Sequence, residues 1–75
     1  MKIEIDILNN AIHCEGCENR IREALINKRG VLEVEPSHLT QNVIVELDEK
    51  KTKPEKLVKA LSRMGYLVGD LRVVE

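Results

Sequence analysis

The chain has 75 residues, of which 43% are apolar and 33% charged, enough for one modest core and one soluble globular domain. Its formal net charge of −1, with both signs interspersed, offers no large basic field to nucleic acid or anionic lipid. No stretch approaches membrane-spanning length and the N-terminus enters a strand pattern without an apolar signal core, so no membrane insertion and a cytoplasmic location are expected.

Phe and Trp are absent and Tyr66 is the single tyrosine, so the core must come from Ile, Leu and Val. Lys2 to Ile7 alternates polar and apolar residues, the pattern of a strand with one buried face. Asn9 and Asn10 break the pattern, and Ala11 and Ile12 lead into His13-Cys14-Glu15-Gly16-Cys17, which holds both cysteines. From Cys17 the apolar positions Ile21, Ala24 and Leu25 follow helical spacing, with Glu18 and Arg22 paired i, i+4 on the outer face. This helix is expected to reach about Arg29. Basic Lys28 and Arg29 suit its negative end, and Gly30 is its left-handed terminator. Ile26 lies off the stripe.

Val31 to Glu35 reads as a second strand ended by Pro36, and Val43 to Leu47 as a third, forming a hairpin. Thr52 and Glu55 have capping-box spacing, with Pro54 in the first turn of a second helix. Its stripe is Leu57, Ala60, Leu61 and Met64, and Gly65 ends it. The stretch from Tyr66 to Glu75 supplies a fourth strand, with Leu71 and Val73 on one face and a bulge at Gly69-Asp70. The order βαββαβ predicts an α+β, ferredoxin-like sandwich whose four-stranded antiparallel sheet carries two helices on one face.

The spacing of Cys14 and Cys17 puts one sulfur in the loop and the other in the first helical turn, both facing one point. A helix N-terminus favours the thiolate. In a reducing compartment such a pair serves metal or redox chemistry before a structural disulfide.

With this strand–loop–helix context the sequence resembles the heavy-metal-associated domain family of copper chaperones and metal-transporting P-type ATPase modules. The resemblance runs through Lys2 to Ile7, Cys14 to Cys17, Gly30-Val31 and Val34, Val43 to Val45, and Leu57 to Tyr66. It implies a single heavy-metal-associated domain over residues 1–75 and a metallochaperone rather than an enzyme. Cys14 and Cys17 would bind Cu(I) and pass it to a P-type ATPase or another metal acceptor of similar fold. Where the family usually has Gly-Met-Thr before the first cysteine, this chain has Ala11-Ile12-His13. Ile12 can replace the volume of a methionine packed beneath the loop.

His13 opens an alternative, since an imidazole beside the first thiolate would favour Zn(II), Cd(II) or Hg(II), with Glu15 or a second molecule completing the ligands. The other reading of His13 is a solvated loop residue. Tyr66 either shields the thiolates, as the matching family position does, or only packs. Met64 is read as core and His38 as a surface residue. A thiol-disulfide oxidoreductase is the remaining rival, disfavoured because Glu15-Gly16 is unusual inside such motifs. Base stacking on the sheet is excluded by the lack of strand aromatics. The expected state is a monomer, or a dimer bridged by a shared metal.

Overall fold

The computed structural model describes residues 1–75. Its elements are β1 (Lys2–Ile7), α1 (Glu15–Ile26), β2 (Val31–Ser37), β3 (Asn42–Leu47), α2 (Pro54–Arg63) and β4 (Val68–Val73). The strands form one antiparallel sheet ordered β2-β3-β1-β4, which is the expected βαββαβ sandwich.

Alternation explains the central strands: Ile3, Ile5 and Ile7 on β1 and Val43, Val45 and Leu47 on β3 are all buried, while Lys2, Glu4 and Asp6 face the other way. Ile21 and Leu25 of α1 and Leu57, Ala60 and Leu61 of α2 close over them, and with Ile12 and Val34 they complete a core of 13 residues without an aromatic. Burial of branched aliphatics at close packing is what holds so small a domain. At the far edge the cover thins. Register places Leu71 opposite Ile5 and Val73 opposite Ile3, yet they remain 37% and 61% exposed. They share the inner face as expected, but α2 does not reach over them. The bulge predicted at Gly69-Asp70 is present, where three steps of β4 match two of β1 between Ile7–Val68 and Ile5–Leu71.

Several expectations require correction. The first helix ends at Ile26, where the Asn27 amide donates to the Glu23 carbonyl at 3.0 Å, a side-chain competitor for the next helical bond. Lys28 and Arg29 therefore lie in a turn, and Gly30, at φ +85°, opens β2 rather than capping the helix. Pro36 does not end β2, which continues to Ser37. The strand is an edge, where a missing N–H leaves no ladder acceptor unpaired. Nor does Thr52 cap α2: the helix starts at Pro54 after Lys53, with no side-chain cap bond. Thr52 is instead buried, its methyl packed where a Cβ on Gly30 would fall.

Candidate metal centre

The loop between β1 and α1 is turned by Asn9 and Asn10, both with positive φ (61° and 50°), a conformation asparagine tolerates better than most residues. Ile12 then drops into the core at 1% exposure, filling the space beneath the loop as its volume predicted. This anchor leaves His13, Cys14, Glu15 and Gly16 exposed. Cys14 is the residue preceding α1, in extended conformation, and its carbonyl accepts the N–H groups of Cys17 and Glu18, each at 3.1 Å. Cys17 thus sits in the first turn, half-buried, and both cysteines are free thiols.

Backbone geometry tunes one sulfur. The His13 backbone N–H, opposed by partial burial and aided by the Cys14 N–H, the Cys14 thiol and the Tyr66 hydroxyl, holds the Cys17 thiol below the ordinary cysteine value. A lowered thiol is a better metal ligand at neutral pH. The acidic residues Glu15 and Glu18 share the first turn, where carboxylates suit the positive end of the helix.

Tyr66 is delivered by the end of α2. Gly65, at φ +95°, lets its own N–H reach the Ser62 carbonyl at 3.0 Å and the Tyr66 N–H reach Leu61 at 3.1 Å, the paired bonds of a Schellman motif. The ring is left beside Cys17, and burial, then the Cys17 charge, pushes its phenol above the ordinary value. Met64 is half-buried against the core.

His13 is exposed in the loop beside Cys14, and no three His, Cys, Asp or Glu side chains gather into a group that could hold a metal. His38 is more than a surface residue: its Nδ1 lies 2.6 Å from Glu18 Oε2, and its backbone N–H donates to the same oxygen at 2.7 Å. That contact holds the Glu18 carboxyl below the usual range. Arg22, expected to pair with Glu18, instead donates to Asn19 and to the Val34 carbonyl.

Gln41, which the sequence did not single out, is the other support. Its Oε1 accepts the Ile12 N–H at 3.1 Å, and its Nε2 donates to the carbonyls of Ile12 and His38, each at 2.6 Å. It does so from φ +54°, a strained position for a residue with a Cβ. The β2–β3 turn is thereby clasped to the residue two places before Cys14. Leu8, Leu67 and Leu39 are exposed at this end, Leu39 at 83%, and the Leu8 N–H bonds Leu67 at 2.9 Å. The loops that carry these three leucines lie at the same end of the sheet as the loop that carries the two thiols.

A binding domain for heavy metals is the class that this fold and thiol pair define, and comparison with known proteins agrees. Residues 10–66 match the heavy-metal-associated domain, and the chain belongs to that family. It is 38% identical over 68 residues to heavy metal-associated isoprenylated plant protein 31 of Arabidopsis thaliana, covering 87% of this chain and 44% of the relative. It is 32% identical over 53 residues to the periplasmic component of mercuric transport of Pseudomonas aeruginosa, covering 71% and 58% respectively. The chain thus spans about half the length of these relatives. Among solved structures, the N-terminal domain of a potential copper-translocating P-type ATPase from Bacillus subtilis, in its Cu(I)-loaded state, superimposes with a TM-score of 0.78 at 30% identity, covering 89% of this chain and 81% of that one.

Proposed function

We propose that the chain is a cytoplasmic carrier of a soft metal ion, foremost Cu(I), held by Cys14 and Cys17 and handed to an acceptor by thiolate exchange. The observation that carries this reading is the pair of free, adjacent thiols without a third convergent ligand. A two-sulfur site suits an ion content with few soft ligands, whereas zinc would need further groups from another molecule. Resemblance to a domain seen loaded with Cu(I) supports the same choice.

Exchange follows from exposure. An acceptor thiolate can bond to the ion at the open side of the loop before Cys14, the more exposed sulfur, lets go, so the ion is never without ligands. The acceptor fitting this geometry presents its own thiol pair on a similar fold, as a P-type ATPase amino-terminal module does. Leu8, Leu39 and Leu67 give it an apolar rim to close against. Glu15 and Arg20, both exposed, remain to steer the encounter, since Glu18 and Arg22 are occupied within the fold. The carrier works as a monomer, or as a dimer bridged by a shared metal.

A second reading, Hg(II) as cargo, is favoured by the similarity to the mercuric transport component and uses the same two sulfurs. Anaerobic titration of the reduced chain with each ion against a competing chelator distinguishes the readings. Cys17→Ser is expected to weaken Cu(I) binding by more than about 100-fold, while His13→Ala changes it by less than about 3-fold. Undiminished Cu(I) binding in Cys17→Ser overturns the proposal, and failure of any soft ion to bind returns the thiols to redox chemistry.

A further inference from the structure

Charges interspersed along the sequence are sorted by the fold. The outer face of the sheet carries Glu4, Asp6, Glu33, Glu35 and Glu46 against only two cations, Lys2 and Arg72, the latter paired with Glu4 and Asp6. On the helical side a recess of about 480 Å³ lies between the turn after α1 and the length of α2. It is lined by Lys28, Arg29, Lys51, Lys56, Lys59 and Arg63, with Asn27 and Thr52 and no apolar or acidic residue. Half of the chain's 12 basic residues are there. None of the six is ion-paired, since the salt bridges of the molecule involve only His38 and Arg72.

Such an arrangement works against the fold. Lys56, Lys59 and Arg63 follow one another at i+3 and i+4 along α2, where like charges weaken a helix, and only Arg63 lies in its last turn, where the dipole rewards a cation. The loop-end thiols do not use these residues. The recess opens by the turn that follows the C-terminal end of α1, whereas Cys14 precedes its N-terminal end.

We propose that this recess is a binding site for an oligophosphate group, either on a small soluble molecule or on the headgroup of a lipid. Concentrated cations with no compensating carboxylate call for a compact ligand with several negative charges. The volume suits a small molecule. Because nothing apolar or aromatic lines it, a nucleobase has no surface to stack on and an acidic peptide has no anchor for its apolar side chains. A chain of phosphates carries several charges in a compact space, with oxygens that accept charge-assisted hydrogen bonds from more than one of these cations.

The test uses the reduced, metal-free 75-residue chain with inorganic tripolyphosphate, followed by amide chemical shifts and calorimetry. In a separate arm, phosphatidylcholine vesicles with and without phosphatidylinositol 4,5-bisphosphate are assayed by sedimentation. The expected result is saturable binding in at least one arm that weakens with added salt and, for tripolyphosphate, shifts centred on Lys28, Arg29 and α2. Lys56→Gln/Lys59→Gln/Arg63→Gln should reduce the affinity at least about tenfold, while Lys2→Gln, on the opposite face of the sheet, changes it less than about threefold. Cu(I) affinity and thermal stability of both variants report whether the fold and the thiol loop are intact. Binding in one arm alone assigns the source of the phosphate. Absence of binding in both arms, equal loss in the two variants, or tighter binding of a poly-glutamate peptide than of tripolyphosphate overturns the proposal.

Discussion

Replacing Gln41 with alanine tests whether the β2–β3 turn holds the thiol loop in place. The substitution removes three hydrogen bonds, at 3.1, 2.6 and 2.6 Å. At a net value of about 1 kcal/mol each, reduced because water can reach a half-buried site, the expected loss is about 1–3 kcal/mol. That is a large share of the roughly 4–11 kcal/mol that a chain of this size commands. Alanine inherits the strain of φ +54°, whereas glycine relieves it, so Gln41→Gly should be the milder change by roughly 0.5–1 kcal/mol. Equilibrium urea unfolding measures both differences. Hydrogen exchange at the Ile12 N–H reports the local consequence directly, and faster exchange is expected in both variants. Because Ile12 lies two residues before Cys14, the Cu(I) affinity proposed for the thiol pair should fall by roughly 10-fold in each. If both variants unfold within about 0.5 kcal/mol of the parent and Ile12 exchange is unchanged, the clasp has no energetic content and the reasoning fails.

Gly30 and Gly65 share positive φ (85° and 95°), but a Cβ on Gly30 would lie 2.9 Å from both Lys51 Cβ and Thr52 Cγ2, while one on Gly65 would meet nothing within 4 Å. Gly30→Ala, strained and clashing, should therefore cost about 3–5 kcal/mol and Gly65→Ala, strained at its φ but unhindered, about 1–2 kcal/mol in the same unfolding assay; equal losses would contradict the steric account. Tyr66→Phe removes one of the groups that lower the Cys17 thiol, so alkylation of Cys17 near neutral pH should slow, as followed by mass spectrometry of the Cys17 peptide. The lowered Cys17 value also gives stability a pH dependence of known sign. In the interval between the folded value and the ordinary one the unfolded chain binds more protons, so this contribution is present above the ordinary thiol value and is lost as pH falls through the folded value. Metal-free unfolding free energies should rise with pH across that window, and Tyr66→Phe should flatten the rise.

Much of the fold was legible because alternation and helical spacing are local records of a two-sided environment. Lys2–Ile7 and Asn42–Leu47 could bury one face only as strands, and Gly30 and Gly65 were marked by the backbone freedom their turns require. The bulge at Gly69-Asp70 and the place of Ile12 beneath the loop were equally readable. Where a residue's role depended on sheet position the same reasoning misled: Pro36 reads as a stop, yet on an edge strand its missing N–H costs nothing. Thr52 has the spacing of a cap but is drawn into the core beside Gly30, and Lys28 and Arg29 lie beyond a helix that Asn27 ends early.

By itself the sequence determined the order of the elements, the composition of the core and the adjacency of Cys14 and Cys17 at the start of a helix. These follow from spacing along a few consecutive residues. Only the tertiary structure decided that His38 meets Glu18, that Gln41 holds Ile12, and that six cations share one recess. Each of these joins residues from separate elements, and hydrogen bonds and charge fields act through distances in space that no periodicity along the chain records.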